Sequence, residues 1–360
     1  MPIIRRYTCA RRCLSKTVRI HLGHHFYGAG NLGDDFMLAG FLAAMRSIAP
    51  SAEFTCSVPF PLPPLQRRFS QVTWLPYEVG VREQAIDQCD AWLGLGGSPF
   101  QHTQSRWFVD HLLADARTCE TRGKPMYFLG IGVQGTNELT HPDVHRIVAN
   151  ASAIWTRDRV SADRLRELQI TSPVHAGADL AHVFFKTTPP PRAASGRFTA
   201  VLNFDFETWP GQAACLQAIT EVTPQERVWL AQESRALAGA ELALFEALDS
   251  AEHASWQLIS PERPGAPLED VLADWPSGEW LLTSRYHAAL AGAWSGSKIV
   301  IITINEKLRA AAADLGVTTI SSDADEDTVR RAFATASSPE SPRSLADLAH
   351  KACAEFVEHC

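Results

Sequence analysis

Short apolar runs alternate along the chain with longer stretches whose apolar positions follow a helical period. The short runs Thr17–Leu22, Ala91–Leu95 and Met126–Ile131 are predicted to be buried strands. The longer stretches Phe36–Ser47 and Trp107–Arg122 are predicted to be helices with one apolar face. Strands that alternate with helices in this way are typical of an α/β fold with mostly parallel sheets.

A proline-rich segment interrupts this pattern. Thr187–Gly196 contains three successive prolines, which can continue neither a helix nor a strand. A second alternation follows, with strands expected at Phe198–Phe204 and Trp256–Ser260 and helices expected through Gln225–Asp249. It ends with a predicted strand, helix and strand at Trp280–Thr283, His287–Trp294 and Ile299–Ile304.

The two alternations predict two Rossmann-like domains whose parallel sheets face a cleft, where ligands often bind. The expected segments are a flexible basic tail at 1–16, an N-terminal domain at 17–190, a C-terminal domain at 191–335, and a connection with a last helix at 336–360.

The composition indicates a globular protein and argues against several classes of function. The chain has 360 residues, 46% of them hydrophobic, and its net charge of −7 is unlike that of a general nucleic-acid binder. It contains no apolar run of transmembrane length, and its basic N-terminus lacks the apolar core of a secretory signal. The eight cysteines are scattered without zinc-site spacing, so we expect reduced thiols, a cytoplasmic location and no metal. Contact of the basic tail with the inner face of the membrane stays open.

Gly28–Asp35 has the pattern G-x-G-x-x-G between a predicted strand and a predicted helix. This pattern can indicate dinucleotide binding, but the first glycine comes about six residues after the strand, and Asp34 and Asp35 would repel a pyrophosphate. We expect instead a tight turn in which Asp34 caps the helix. Gly30, Asn31 and the loop amides would then face the cleft and could bind a sugar hydroxyl or an anion. A purely structural turn is the alternative.

Two further glycine loops follow predicted strands in the same half. Gly96, Gly97 and Ser98 come after one strand, and Gly132 comes after the next. Positions without side chains let a ligand approach the backbone amides closely. The carboxyl ends of neighbouring parallel strands meet at one edge of a sheet, so the three loops predict a ligand-binding rim.

The segment Leu281–His287 places a cation and an imidazole at the end of a predicted strand. Arg285 and His287 are two residues apart, so on a strand their side chains would share one face. A guanidinium can grip a carboxylate or a phosphate, and a histidine can move a proton near neutral pH. The pair therefore indicates an anionic substrate and acid–base chemistry, with a solvated strand end as the alternative.

The order of these motifs resembles that of the polysaccharide pyruvyl transferase family. The matching segments are Gly28–Asp35, Leu95–Ser98, Gly130–Gly132, Thr156–Ser161, Gly177–Asp179, Ser284–His287 and Ile304–Lys307. The resemblance implies a GT-B-like arrangement, with the acceptor on the N-terminal domain and the donor on the C-terminal domain. It also implies transfer of a pyruvyl group from phosphoenolpyruvate to two hydroxyls of a sugar in a surface polysaccharide or its precursor. The products would be a cyclic ketal and phosphate, with no cofactor besides the donor.

Phosphoenolpyruvate carries about three negative charges, so a protein of net negative charge must supply cations locally. Arg157 and Arg285 come from opposite halves and are expected to bind this donor together, with Arg159 as the rival of Arg157. Lys307 is a candidate phosphate contact, although a solvated lysine explains it equally well. His287 is the candidate proton donor or proton acceptor, and a core histidine is its alternative.

Two other functions stay open at this point. A GT-B-like glycosyltransferase would use a nucleotide sugar, and a non-catalytic relative would bind a glycan or an anion without turnover. The sequence indicates neither the acceptor sugar nor the oligomeric state.

Overall fold

The computed structural model describes residues 17–23, 26–102, 106–203, 211–222, 224–233, 239–340 and 342–360. The predicted basic tail, residues 1–16, lies outside the described residues.

The first half of the chain forms a parallel sheet of seven strands covered by helices. The strands are β1 (Arg19–Leu22), β2 (Glu53–Val58), β3 (Val72–Pro76), β4 (Ala91–Leu95), β5 (Met126–Ile131), β6 (Ala153–Thr156) and β7 (Val174–Ala176). The helices are α1 (Leu32–Ile48), α2 (Leu62–Arg68), α3 (Val79–Gln88), α4 (Trp107–Arg122), α5 (Thr136–Leu139), α6 (Pro142–Ala149), α7 (Arg159–Glu167) and α8 (Ala181–Thr187). The strand order is β3-β2-β1-β4-β5-β6-β7, and Ile20 of the interior strand β1 pairs with Phe54 on one side and Ala91 on the other.

The second half forms a parallel sheet of six strands. The strands are β8 (Ala194–Val201), β9 (Glu226–Leu230), β10 (Gln257–Ile259), β11 (Gly278–Thr283), β12 (Lys298–Ile302) and β13 (Thr318–Ile320), in the order β10-β9-β8-β11-β12-β13. The helices are α9 (Gln212–Glu221), α10 (Gly239–Glu246), α11 (Ser250–Ser255), α12 (Leu268–Ala273), α13 (Tyr286–Ser295), α14 (Glu306–Leu315), α15 (Glu326–Thr335) and α16 (Arg343–His359). The expected α/β class with two Rossmann-like sheets is confirmed.

The predicted helices through Gln225–Asp249 are wrong at their beginning, where the structure has β9. This strand begins with Glu226 and Arg227, so its buried apolar run is only Val228–Leu230. Such a short apolar run fits either a helix or a strand. It becomes a strand because it pairs with β8 and β10 on its two sides.

We call residues 17–188 the N-terminal lobe and residues 194–335 the C-terminal lobe. The coil 189–193 joins them, so the expected domain boundary at 190/191 falls within this coil. The last helix, α16, packs against the N-terminal lobe, where the ring of Phe356 lies 5.4 Å from Tyr127 and 6.5 Å from Phe41.

The two lobes share part of one apolar core. The ring of Phe36 in α1 stacks on Phe184 at 5.7 Å and meets Trp275 of the C-terminal lobe at 5.9 Å. A buried ion cluster adds to this contact: Arg68 lies 2.5 Å from Asp35 in its own lobe and 3.0 Å from Glu262 across the cleft. All three of these charged side chains are at most 2% exposed. The lobes are therefore held in a defined relative position.

Two features are absent from the part of the chain that the structure describes. None of its helices combines the length and the apolar character that crossing a membrane requires. It also contains no group of three or more His, Cys, Asp or Glu side chains arranged to hold a metal ion.

Candidate active site

A cavity of about 740 Å³ lies between the lobes. The chain enters it repeatedly just after a strand: Ser98 follows β4, Arg157 follows β6, Ser284 follows β11 and Asn305 follows β12. The carboxyl ends of both sheets thus face the same space, which is where α/β proteins bind their ligands.

The amino ends of three helices also meet at this cavity. Asn31, Arg285 and Asn305 precede α1, α13 and α14 as N-cap residues, and all three line the cavity. Unpaired amides give the amino end of a helix a partial positive charge that favours anions. The prediction that Asp34 caps α1 is wrong: the side chain of Asn31 accepts the Gly33 amide at 3.0 Å, because it stands one position before the helix begins.

Arg157 is a buried cation at the meeting point of the two lobes. Its Nη2 donates to Oγ of Ser98 at 3.2 Å, and its guanidinium lies 4.5 Å over the ring of Tyr286 from the opposite lobe. Its Nε lies 3.6 Å from a carboxylate oxygen of Asp158 and, among the described residues, has no hydrogen-bond partner. Gly132 makes room for the group, since a Cβ at this position would lie 2.4 Å from Cζ of Arg157.

Arg285 lines the cavity from the C-terminal lobe and is held by two carboxylates. Its Nε lies 2.6 Å from Glu241, which is fully buried, and its Nη2 lies 2.7 Å from Glu233. Glu233 also forms a β-bridge with Asn31 of the other lobe. Two of the donor groups of Arg285 are thus directed to its own lobe, and the remaining N–H groups are available to a ligand.

The prediction that Arg285 and His287 share one face of a strand is wrong. The strand β11 ends at Thr283, whose Oγ1 accepts the Arg285 amide at 2.9 Å and turns the chain. Helix α13 begins at Tyr286, so His287 lies in its first turn. Both side chains nevertheless reach the same cavity.

His287 pairs with a carboxylate from the opposite lobe. Its Nε2 is buried and lies 3.6 Å from Oδ2 of Asp179, whose other oxygen accepts the Ala181 amide at 2.9 Å. Burial alone would raise the pKa of Asp179, but the charges of His287 and Arg157 outweigh it and lower the pKa. Asp179 is therefore an anion that lies against the imidazole of His287.

A family model matches most of the chain that forms this cavity. The model for polysaccharide pyruvyl transferase matches residues 31–296, which include Arg157, Asp179, Arg285 and His287. The chain belongs to the polysaccharide pyruvyl transferase family. Comparison with curated protein sequences gives no match.

Solved structures confirm the GT-B-like arrangement that the family resemblance implied. UDP-GlcNAc 2-epimerase from Methanocaldococcus jannaschii superposes with a TM-score of 0.62 at 11% identity, covering 96% of this chain and 99% of the epimerase. The epimerase from Neisseria meningitidis bound to UDP-GlcNAc gives 0.59 at 12% identity, with coverages of 95% and 99%. Anabaena HepE (Alr3699), in complex with UDP and glucose, gives 0.56 at 10% identity, covering 95% of each chain. At these identities the likeness shows the fold alone.

Most of the residues predicted for the site of this family member line the cavity. They are Asn31, Asp34, Gly97, Ser98, Arg157, Arg285, His287 and Lys307. Gly30, Gly96 and Gly132 are not among the lining residues, and Gly132 lies directly behind Arg157. Gly96 and Gly97 both have positive φ, at 69° and 70°, which is why this turn favours glycine. Arg159, the rival of Arg157, has a side chain that is 85% exposed and lies 3.7 Å from Asp163.

Asp34 is an acidic group in a mainly cationic cavity. It accepts a hydrogen bond from the Asn31 amide group at 3.1 Å and lines the same space as His287. Burial, together with the carboxylates of Asp35 and Glu233, raises its pKa to about 7, although Lys307 and Arg285 act in the opposite direction. A carboxyl group with a pKa near neutrality can exchange protons at physiological pH.

The sequence analysis did not identify the contact partners of Arg157 and His287. Tyr286 lies between the two predicted residues Arg285 and His287 in the sequence. Only the packing of the lobes shows that the guanidinium of Arg157 lies over its ring. Asp179 ends the matched Gly177–Asp179 segment, for which the sequence left open a turn between the two halves or a catalytic base, and the structure places it beside His287.

Proposed function

We propose that the protein transfers the pyruvyl group of phosphoenolpyruvate to two hydroxyls of a sugar in a surface polysaccharide or its precursor. The observation that carries this proposal is that Arg157 of one lobe and Arg285, His287 and Lys307 of the other line one cavity. A small donor with a carboxylate and a phosphate matches these cations and the three helix amino ends. Since this donor is a cytoplasmic metabolite, the proposed location is the cytoplasm, with the inner face of the membrane as a site of peripheral contact.

The donor is proposed to lie between Arg157 and Lys307. Arg157 offers a buried guanidinium whose Nε has no hydrogen-bond partner among the described residues, and a carboxylate would supply one. Lys307 lies in the first turn of α14, where a phosphate would also meet the amino end of that helix. Arg285, restrained by Glu241 and Glu233, would contribute its remaining N–H groups.

The reaction needs one proton delivered to C3 of the donor and one proton removed from each hydroxyl. His287, which lies beside the carboxylate of Asp179, is proposed to protonate C3 while the first hydroxyl oxygen bonds to C2. Asp34 is proposed to accept the proton of that hydroxyl. The second hydroxyl oxygen then bonds to C2 as the C2–O bond to phosphate breaks, and its proton leaves with the phosphate. The products are the cyclic ketal, with a new methyl group, and inorganic phosphate.

Phosphate release and product mass together test this function. The protein is incubated with phosphoenolpyruvate and a panel of oligosaccharides and lipid-linked glycans, followed by ³¹P NMR and mass spectrometry. We expect phosphate release that depends on the glycan, and in D₂O a single deuterium in the ketal methyl group. His287→Gln should retain donor binding and lose turnover.

Two results would contradict the proposal. One is the absence of any donor binding by calorimetry together with no product from the whole panel. The other is thermal stabilisation by UDP or GDP without stabilisation by phosphoenolpyruvate, which would favour a glycosyltransferase that uses a nucleotide sugar.

A further inference from the structure

Three aromatic side chains form one wall of the cavity in the N-terminal lobe. The ring of Phe26 lies 5.6 Å from Trp107 and 5.4 Å from Phe108, and the rings of Trp107 and Phe108 are nearly parallel at 6.3 Å. All three line the same cavity as Arg157 and His287. We call Phe26, Trp107 and Phe108 the aromatic wall.

Trp107 is unusually exposed for a tryptophan. Among the described residues, the exposed large hydrophobic side chains are Val79, Trp107, Val160 and Leu348, and Trp107, at 39%, is the aromatic one in this group. An exposed indole in a substrate cavity offers flat apolar surface that a ligand can cover.

The chemistry of the cavity differs between the aromatic wall and the opposite side. Arg285, His287 and Lys307 line it from the C-terminal lobe, whereas the lobe that carries the aromatic wall contributes the neutral amides of Gln101 and Gln134 besides the single cation Arg157. An anion is attracted to the cationic side. A neutral ring with apolar C–H faces and a hydroxyl periphery fits the aromatic wall and the amides, because the faces can stack and the hydroxyls can form hydrogen bonds.

The aromatic wall is held in place from behind. The indole of Trp107 meets His111 edge-on at 4.3 Å and lies 6.1 Å from the ring of Tyr77. Arg82 donates to the hydroxyl of Tyr77 at 2.6 Å and pairs with the fully buried Asp115 at 2.7 Å. A ring that is already fixed in orientation loses little entropy when a ligand stacks on it.

We propose that the aromatic wall is the acceptor subsite, where a neutral pyranose ring stacks on Trp107 with its hydroxyls directed towards Asp34 and the donor. The inference rests on the proposed function, since a pyruvyl transfer requires a sugar beside the donor. The cavity volume of about 740 Å³ is more than twice the roughly 300 Å³ of the smallest single-ligand sites, which leaves room for a small donor beside one sugar ring.

Saturation-transfer NMR with simple sugars tests the subsite. The probes are the methyl glycosides of glucose, galactose and mannose, added to the full chain with phosphoenolpyruvate present. We expect at least one glycoside to bind, with the strongest saturation on the C–H protons of one ring face. Trp107→Ala should weaken its binding roughly tenfold, as expected for loss of one aromatic contact, and Trp107→Phe should weaken it less.

The controls distinguish the loss of glycoside binding at the subsite from a loss of folding and from a loss of donor binding. Leu348→Ala removes an exposed apolar side chain on α16 and should leave glycoside binding unchanged. Donor affinity, measured by calorimetry, should be the same in Trp107→Ala as in the wild type. Because the alanine variant could lose stability, Trp107→Phe and Phe26→Leu are measured beside it, with thermal unfolding of each.

Several outcomes would overturn the subsite. They are no binding of any glycoside to the wild type, equal binding to a folded Trp107→Ala, and binding of an isoprenoid phosphate at the aromatic wall without glycoside binding. Glycoside binding that depends on Trp107, with neither donor binding nor product from the whole acceptor panel, would support the subsite and contradict the proposed function. Phosphate release with an acceptor KM that is unaltered in Trp107→Ala would support the proposed function and contradict the subsite.

Discussion

Replacing Gly132 by alanine should weaken donor binding through Arg157 alone. A Cβ at this position would lie 2.4 Å from Cζ, Nε and Nη2 of Arg157, whereas ordinary carbon contacts are about 3.5–4.0 Å. The backbone cannot easily retreat, because the Gly132 amide donates to the Gly97 carbonyl at 2.8 Å. The guanidinium must therefore move by about 1 Å or more, away from its positions against Ser98 and Tyr286.

The size of the effect follows from the bond that is lost. A hydrogen bond to a charged group contributes roughly 1.5–3 kcal/mol, so the dissociation constant of phosphoenolpyruvate should rise by about 10- to 100-fold. Isothermal titration calorimetry measures it, and thermal unfolding shows whether the variant is folded. Gly135→Ala is the matched control in the same loop, since a Cβ there meets nothing within 4 Å. It should bind the donor as the wild type does.

A double-mutant cycle tests the stated cause. If Gly132→Ala acts by displacing the guanidinium, then adding it to Arg157→Met should weaken donor binding little further. Wild-type affinity in a folded Gly132→Ala would refute the reasoning. An additive loss in the double variant would also refute it, because the substitution would then act through another contact.

Three further predictions concern the pair of His287 and Asp179, the acidic side chain of Asp34 in the cavity, and the buried ion cluster between the lobes. Asp179→Asn should lower kcat by about 100-fold or more, because His287 loses the carboxylate beside it. Donor affinity should be kept or increased, because a negative charge beside the anion site is removed. An unchanged kcat would exclude Asp179 from positioning His287. Because the pKa of Asp34 is raised to about 7 and the ionised form is the base, activity should rise as the pH increases through about 7. A pH–rate profile of Asp34→Asn should lack this limb, and its persistence would assign the limb to another group. Arg68→Met leaves the buried carboxylates of Asp35 and Glu262 without their partner, so it should lower the free energy of unfolding by about 3–5 kcal/mol. Urea unfolding measures this change. Arg67→Met, at the exposed neighbouring position, is the control.

The sequence predicts the fully buried strands β4 and β5 well and misses three of the four edge strands. The bounds predicted for β4 and β5 agree with the structure, because every residue of these strands is buried and the apolar run covers the whole element. By contrast, β3, β7 and β13 were not predicted. Each lies at the edge of its sheet, and their partly exposed positions interrupt the apolar pattern. A strand with partly exposed positions carries less of the signal on which the prediction depends, and this holds also for the interior strand β9, whose first two residues are half-buried.

The candidate site shows a similar division between local and distant information. Short motifs led to Arg157, Arg285 and His287, because each residue type has a recognisable chemistry close to a predicted strand end. The partners of these residues are distant in sequence: Asp179 reaches His287 from the opposite lobe, and Tyr286 lies under Arg157 only because the lobes pack together. Such pairings depend on the orientation of the lobes, on which a single sequence carries no direct information.

The glycine-rich loops have a different physical role from the one that their pattern suggested. They were expected to let a ligand approach the backbone, yet at two positions they let a side chain of the site approach it. A Cβ at Gly33 would lie 2.2 Å from Nδ1 of His287, and a Cβ at Gly132 would lie 2.4 Å from the guanidinium of Arg157. The third glycine of the G-x-G-x-x-G pattern thus allows the imidazole of one lobe to lie against the first turn of α1 in the other. This motif resembles a dinucleotide fingerprint, but the contact between the lobes explains its third glycine. The same explanation is compatible with Asp34 and Asp35 beside the glycines, whose negative charges would repel a pyrophosphate.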